Sequence, residues 1–290
     1  MIIQSDTLDY CKTLPDGFFD LSFCSPPYED ARTYGIGFSL KGEEWVKWAV
    51  ERFIEQYRVT KGATCWVVEG KTKDFRYSAT PILMMADLHR AGVHLRNPPI
   101  FHRIGVPGSG GPDWLRNDKE FIICASHGRL PWSDNTAMGE PPKWKPGGDM
   151  SHRMQSGRRV ARTMTKTRAD SIEVQGYSPP AVANPGNLIE RTYTTSEVVS
   201  ILGESGDVTS HIVGGGRMGS LLCHENEAPF PESLAEFFVR SFCPPDGKVY
   251  DGFCGSGTTP DVAKRLGRQF FGTDIRASQI ELTGRRLNEN

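Results

Sequence analysis

The sequence predicts an α/β fold, built on a mostly parallel twisted sheet with an antiparallel edge hairpin and an inserted irregular region. Three observations predict it. The apolar run Phe18-Phe19-Asp20-Leu21-Ser22-Phe23-Cys24, with one acid near its start and two prolines just past its end, reads as a buried parallel strand that stops abruptly. Strand-like and helix-like segments alternate from Met1 to Val68. Near the other end, Lys248-Val249-Tyr250 enters a glycine-rich stretch and leaves it as a helix, which sets a loop at the carboxyl edge of a parallel sheet.

Met1 to Asp6 is a short strand ending in an acid, and Leu8 to Leu14 is a helical turn or two. Pro15-Asp16-Gly17 is a turn signal before the strand that leads to Ser25. Trp45, Trp48, Ala49, Phe53 and Ile54 have helical spacing, and Ala63 to Val68 returns to strand. A helix over about 80 to 90 ends at Ala91-Gly92. Ile100 to Ile104 and Glu120 to Ala125 follow as strands with no clear helix between them, which predicts the hairpin. From about Gly128 to Cys223, Pro, Gly, Ser, Thr and basic residues dominate, and only Glu197 to Leu202 reads as a short ordered element. Regular structure returns with a helix marked by Leu234, Phe237, Phe238 and Phe242, then the glycine-rich unit, the strand Gln269 to Asp274 and a last helix.

The 290 residues are 38% hydrophobic and 24% charged, an ordinary globular balance, and no apolar run is long enough to cross a membrane. A cytoplasmic protein is expected. Seven scattered cysteines with no C-x-x-C pair predict reduced, buried thiols and no metal site. Net charge is -1, yet Lys143, Lys145, Arg153, Arg158, Arg159, Arg162, Lys166 and Arg168 stand against the single acid Asp149. Such a run suits phosphates, and equally a solvated loop.

Two stretches carry chemistry. In Ser25-Pro26-Pro27-Tyr28 the prolines hold the backbone extended and turn the local carbonyls outward as acceptors, Ser25 adds an oxygen, and Tyr28 adds a flat face. Two acceptors beside a stacking face suit an amino group on a planar base, although a strand ended by a Pro-Pro turn has the same sequence. In Asp251-Gly252-Phe253-Cys254-Gly255-Ser256-Gly257-Thr258-Thr259 the P-loop spacing has Thr258 in place of lysine, and the dinucleotide fingerprint fails at Pro260. With Asp251 before the glycines and Asp274 after the next strand, the loop suits a cationic nucleoside such as S-adenosylmethionine better than NAD.

Together with Pro229-Phe230-Pro231-Glu232, these motifs and their order resemble the amino-methylating DNA methyltransferases of the β type, which have a Rossmann-like fold. The resemblance covers residues 1–127 and 224–290 as the catalytic domain and implies that 128–223 is a target-recognition region, whose basic residues named above would contact DNA. It implies catalytic roles for Ser25, Pro26, Pro27 and Tyr28. It implies that Asp251, Phe253, Cys254, Gly255, Gly257, Thr258 and Thr259 hold the methionine part of S-adenosylmethionine, Phe230 and Pro231 close that side, Asp274 takes the ribose and Asp6 the adenine. The product would be S-adenosylhomocysteine. Gly252 stands where the family usually has proline, which is expected to loosen the loop without removing a contact.

The resemblance implies flipping of the target nucleotide out of duplex DNA and direct methyl transfer. No Pro-Cys dipeptide is present, so a cysteine nucleophile for carbon-5 methylation is not expected, and Cys24 reads as a buried thiol. Serine at the first motif position favours the N4 of cytosine over the N6 of adenine, the alternative. An RNA or protein amide methyltransferase usually has the opposite motif order, and an intact cofactor loop argues against a silent DNA-binding module. Double-stranded DNA is the implied partner, with room for a cognate restriction endonuclease.

Overall fold

The computed structural model describes residues 1–30, 37–103, 113–142, 151–153, 159–161, 180–190, 212–213, 216–217, 222 and 229–288. Two compact units are present, Met1–Asp134 with Gly186–Asn290, and Asn135–Pro185.

The first unit is organised on an eight-stranded sheet. In chain order its elements begin with β1 (Ile2–Gln4), α1 (Thr7–Lys12), β2 (Phe19–Cys24), α2 (Glu43–Arg58) and β3 (Thr60–Val68). A small hairpin of β4 (Thr72–Lys73) and β5 (Arg76–Tyr77), α3 (Thr80–Arg90), β6 (Ile100–His102) and β7 (Lys119–Ala125) follow. The second unit holds β8 (Ser151–Arg153), paired antiparallel with β9 (Arg159–Ala161). The first unit resumes with β10 (Leu188–Glu190), the pair β11 (Ile212–Val213) and β12 (Gly216–Arg217), α4 (Glu232–Phe242), β13 (Lys248–Asp251), α5 (Thr258–Arg265), β14 (Gln269–Asp274) and α6 (Ala277–Asn288). The segment Glu197 to Leu202 lies outside the described residues.

The order in the large sheet is β1-β14-β13-β2-β3-β7-β6-β10, and every neighbouring pair is parallel except the two that β7 makes, with β3 and with β6. The expected hairpin of β6 and β7 is therefore present, and β10 adds a strand outside it. Both faces are covered, as a parallel sheet requires. Leu21, Phe23, Cys65 and Val67 pack with Leu234, Phe238 and Val239 of α4 and Val262 of α5. The alternate residues Cys24, Trp66 and Val68 pack with Trp45, Ala49 and Phe53 of α2 and Met84 and Leu88 of α3. This division follows from the two-residue period of a strand. The architecture is Rossmann-like.

The same topology gathers the chemistry. The carboxyl ends of β1, β2, β3, β6, β13 and β14 and the amino end of the reversed β7 lie on one edge of the sheet. The chain order reverses between β13 and β2, whose register pairs Val249 with Leu21 and Tyr250 with Ser22. Residues more than two hundred positions apart thus leave the sheet side by side, at the kind of switch point where open α/β sheets bind ligands.

Candidate active site

Ser25 to Tyr28 is pinned at three points. The Ser25 hydroxyl donates to the Val67 carbonyl at 3.2 Å, Trp45 Nε1 donates to the Pro27 carbonyl at 2.9 Å, and the Tyr28 hydroxyl donates to Glu120 Oε1 at 3.3 Å. The Pro27 carbonyl is therefore taken by the Trp45 indole. That of Pro26 receives no hydrogen bond among the described residues. Ser25 spends its hydrogen on Val67, which leaves its oxygen as an acceptor.

The loop after β13 turns on Gly257, which caps α5 in the left-handed conformation at φ 79°. A Cβ there would lie 2.8 Å from Thr283 Cγ2, so both backbone angle and space demand glycine. Asp274 Oδ2 accepts from Gly255 N at 3.1 Å and Oδ1 from Arg276 N at 2.9 Å. Asp6 Oδ1 caps α1 by accepting from Leu8 N at 2.8 Å, while Oδ2 pairs with Arg52 Nη2 at 3.0 Å.

These groups surround one cavity, with about 780 Å³ of free space including its open mouth. Asp6, Ser25, Pro26, Pro27, Tyr28, Phe253, Gly255 and Asp274 line it, joined by Phe38, Trp48, Ile275 and Arg276. A smaller cavity shares Ser25 and Phe253 and is walled by Phe230, Cys254 and Thr258. The other expected loop residues stand behind these walls. Pro231 caps α4, Gly257 packs on Thr283, and the Thr259 hydroxyl donates to the Phe23 carbonyl at 3.3 Å. The basic residues Lys143, Lys145, Arg158, Arg162, Lys166 and Arg168 lie outside the described residues, whereas Arg153 and Arg159 are register partners in β8 and β9.

Asp251 also lies beneath the loop, 2% exposed, where its carboxylate accepts from Phe253 N at 2.9 Å. Burial pushes its carboxyl from the ordinary 3.8 up to about 7. The folded chain then holds a proton that the unfolded chain has lost. The stability from this group is complete below pH 3.8 and disappears as pH rises through about 7. Its loss reaches at most about 1.4 kcal/mol per pH unit. Asp251→Asn should remove this slope, so the variant gains melting temperature relative to the parent as pH rises from about 4 to about 7. Equal slopes in a pH series of melting curves would contradict the assignment.

Sequence reasoning missed the polar layer under the loop. Gln56 is fully buried; its Oε1 accepts from Ser22 Oγ at 2.7 Å and Trp66 Nε1 at 2.9 Å, and its Nε2 donates to Thr7 Oγ1 at 3.0 Å. Thr7 continues to the Tyr250 hydroxyl and Thr273, each step 2.9 Å, and Thr273 donates to the Gly252 carbonyl at 3.0 Å. The signal was a polar residue on the stripe of α2 that also buries Trp45, Ala49 and Phe53. Gly252 is correspondingly tight. A Cβ there would lie 2.2 Å from Gln56 Nε2 and 2.6 Å from Thr7 Oγ1, so the packing leaves room for glycine alone. Trp48, read as part of the helical face, is half-buried in the cavity wall with the Arg52 guanidinium 4.7 Å from its ring centre.

A DNA methylase family profile, N6_N4_Mtase, matches residues 19–285, which include the tetrapeptide, the loop and both carboxylate-bearing strand ends β13 and β14. The chain belongs to this family of DNA methylases.

Among relatives of this DNA methylase, the orphan methyltransferase M.BamHII of Bacillus amyloliquefaciens is 26% identical over 95% of this chain and 91% of its own. The type II methyltransferase M.ScaI of Streptomyces caespitosus is 22% identical over 99% and 81%. The fold is shared with the PvuII DNA methyltransferase (cytosine-N4-specific), at a TM-score of 0.63 and 18% identity over 98% of this chain and 85% of that one. It is also shared with M1.HpyAVI in its SAM complex, at a TM-score of 0.51 and 14% identity over 99% of each chain.

The six described cysteines of the methylase are all buried and free, and Cys223 lies outside the described residues. Burial holds the Cys24 thiol well above its ordinary pKa, which disfavours the thiolate a nucleophile needs. No helix among the described residues is long and apolar enough to cross a membrane.

Proposed function

We propose that this DNA methylase transfers a methyl group to the exocyclic N4 of cytosine in duplex DNA, with the target base turned out of the helix. The methyl donor is S-adenosylmethionine, which supplies an electrophilic methyl group on a cationic sulfur when bound and becomes S-adenosylhomocysteine. The cavity fits such a group: it offers the carboxylates of Asp6 and Asp274, the rings of Trp48 and Phe253, and the backbone of Gly252 and Gly255. Asp274 would accept from the ribose hydroxyls, and Asp6 with the Trp48 face would hold the adenine. Phe230, Cys254 and the Thr258 hydroxyl would line the methionine end. Asp251 acts through the Phe253 backbone, and Gly257, Thr259 and Pro231 set the position of the walls.

The observation that carries this reading is the donor direction at Ser25. Its hydrogen goes to Val67, so its oxygen and the Pro26 carbonyl form a pair of acceptors at the cavity lip. An amino group has two hydrogens to place there, and holding both turns the nitrogen lone pair out of conjugation with the base. Tyr28 supplies the stacking face. The resemblance pairs serine in this position with cytosine more often than with adenine. Residues 128–223 would read the target, with phosphate contacts from the basic run between Lys143 and Arg168.

The test is incubation with methyl-labelled cofactor and defined duplexes, followed by nucleoside analysis. Labelled N4-methylcytosine is expected. N6-methyladenine would overturn the choice of base, and label in neither nucleoside would overturn DNA amino methylation.

A further inference from the structure

We infer that Glu120 is a positioning residue for the reaction, anchoring the hydroxyl end of the Tyr28 ring on which the target base stacks, with Arg103 holding Glu120 in place. This rests on the proposed function, because it assigns the ring to the base.

The pleat of β7 makes the position of Glu120 unusual. Ile122 and Cys124, two and four residues on, face the core shared with α4, so Glu120 continues an apolar stripe and is 7% exposed. A carboxylate there is costly unless it is paired and hydrogen-bonded, and a leucine would fill such a site without that cost. Glu120 Oε1 accepts from the Tyr28 hydroxyl at 3.3 Å and faces Arg103 Nη1 at 3.1 Å. Burial pushes its carboxyl above the ordinary value, and Arg103 pulls it back. Glu69, the nearby acid at the end of β3, is engaged separately by the Tyr77 hydroxyl at 2.9 Å and Lys119 Nζ at 3.4 Å.

The three tethers of the tetrapeptide divide the work. Those at Ser25 and Pro27 hold backbone and hydroxyl, but a tyrosine ring turns about two further torsions that neither tether restrains. The bond to Glu120 anchors the hydroxyl end of the ring, and with it the position of the stacking face, before the base arrives. The reversed direction of β7 makes this reach available, since it brings the amino end of that strand to the edge where β2 ends.

The test compares single-turnover methylation by the full chain and by Tyr28→Phe, Glu120→Ala, Glu120→Gln and the Tyr28→Phe/Glu120→Ala double variant, with cofactor affinity measured in each. Tyr28→Phe and Glu120→Ala are each expected to slow methylation about tenfold, the double variant to be no slower than the worse single one, and Glu120→Gln, which keeps an acceptor, to stay within about threefold of the parent. Cofactor affinity should not change. A parental rate for either Tyr28→Phe or Glu120→Ala, or losses that multiply in the double variant, would overturn the inference. Tyr28→Phe alone decides the matter if Glu120→Ala does not fold. A parent chain that methylates no DNA counts against the proposed function, and the inference is then read from ring-labelled tyrosine by NMR. A Tyr28 ring chemical shift that moves in Glu120→Ala and stays at the parental value in Glu120→Gln would support it, and a parental shift in Glu120→Ala would overturn it.

Discussion

Ser25→Ala is expected to slow methyl transfer by about 10²- to 10³-fold while cofactor affinity stays within about twofold. The substitution removes one of the two acceptors at the cavity lip and leaves the Pro26 carbonyl in place, so one amino hydrogen loses its partner. The effect belongs to the rate because the bond strengthens as the nitrogen lone pair leaves conjugation, and the rest of the cavity that would hold the cofactor is untouched. The Trp45 and Glu120 tethers remain, so the tetrapeptide should stay in position. Single-turnover rates and cofactor titration separate the two quantities. A parental rate would remove Ser25 from the chemistry, and an equal loss of cofactor affinity would make its role one of binding alone.

Gly252→Ala is expected to lower the melting temperature by roughly 5–10 °C, from an overpacking cost of about 2–3 kcal/mol. The new methyl would fall on Gln56 Nε2 and Thr7 Oγ1. The end of a glutamine side chain usually moves aside at little cost, but Gln56 is fully buried and bonded to Ser22, Trp66 and Thr7. Shifting it would leave buried donors without partners. Gln56→Ala removes the shorter of the two clashes and forfeits those bonds, so Gly252→Ala/Gln56→Ala should be less destabilised than the sum of the two single variants. Thermal denaturation of all three tests this. If Gly252→Ala melts with the parent, the space at Gly252 is not limiting.

The alternation of strands and helices and the two motifs were legible because each is local. A strand cut short by two prolines and a glycine loop between strand and helix depend on neighbouring residues and on backbone angles that only certain residues adopt. Asp6, Asp274 and Ser25 could be placed on strand ends, and therefore on one sheet edge, from the same local signals. Asp251 was placed at the loop but not beneath it, because depth depends on what packs from above.

The sequence alone therefore determined the fold class, the edge that carries the site and the residue types that meet there. Tertiary structure decided how each of them is used. The Pro27 carbonyl is lost to an indole from α2, Ser25 becomes an acceptor because Val67 of β3 takes its hydrogen, and Gly252 is required by a glutamine of α2. Glu120 reaches Tyr28 only because β7 runs against its neighbours. Those partners lie far away in the chain, and no period or spacing encodes them. A hydrogen bond is specified by position and direction in space, and distant residues acquire both only when the sheet brings their strand ends together.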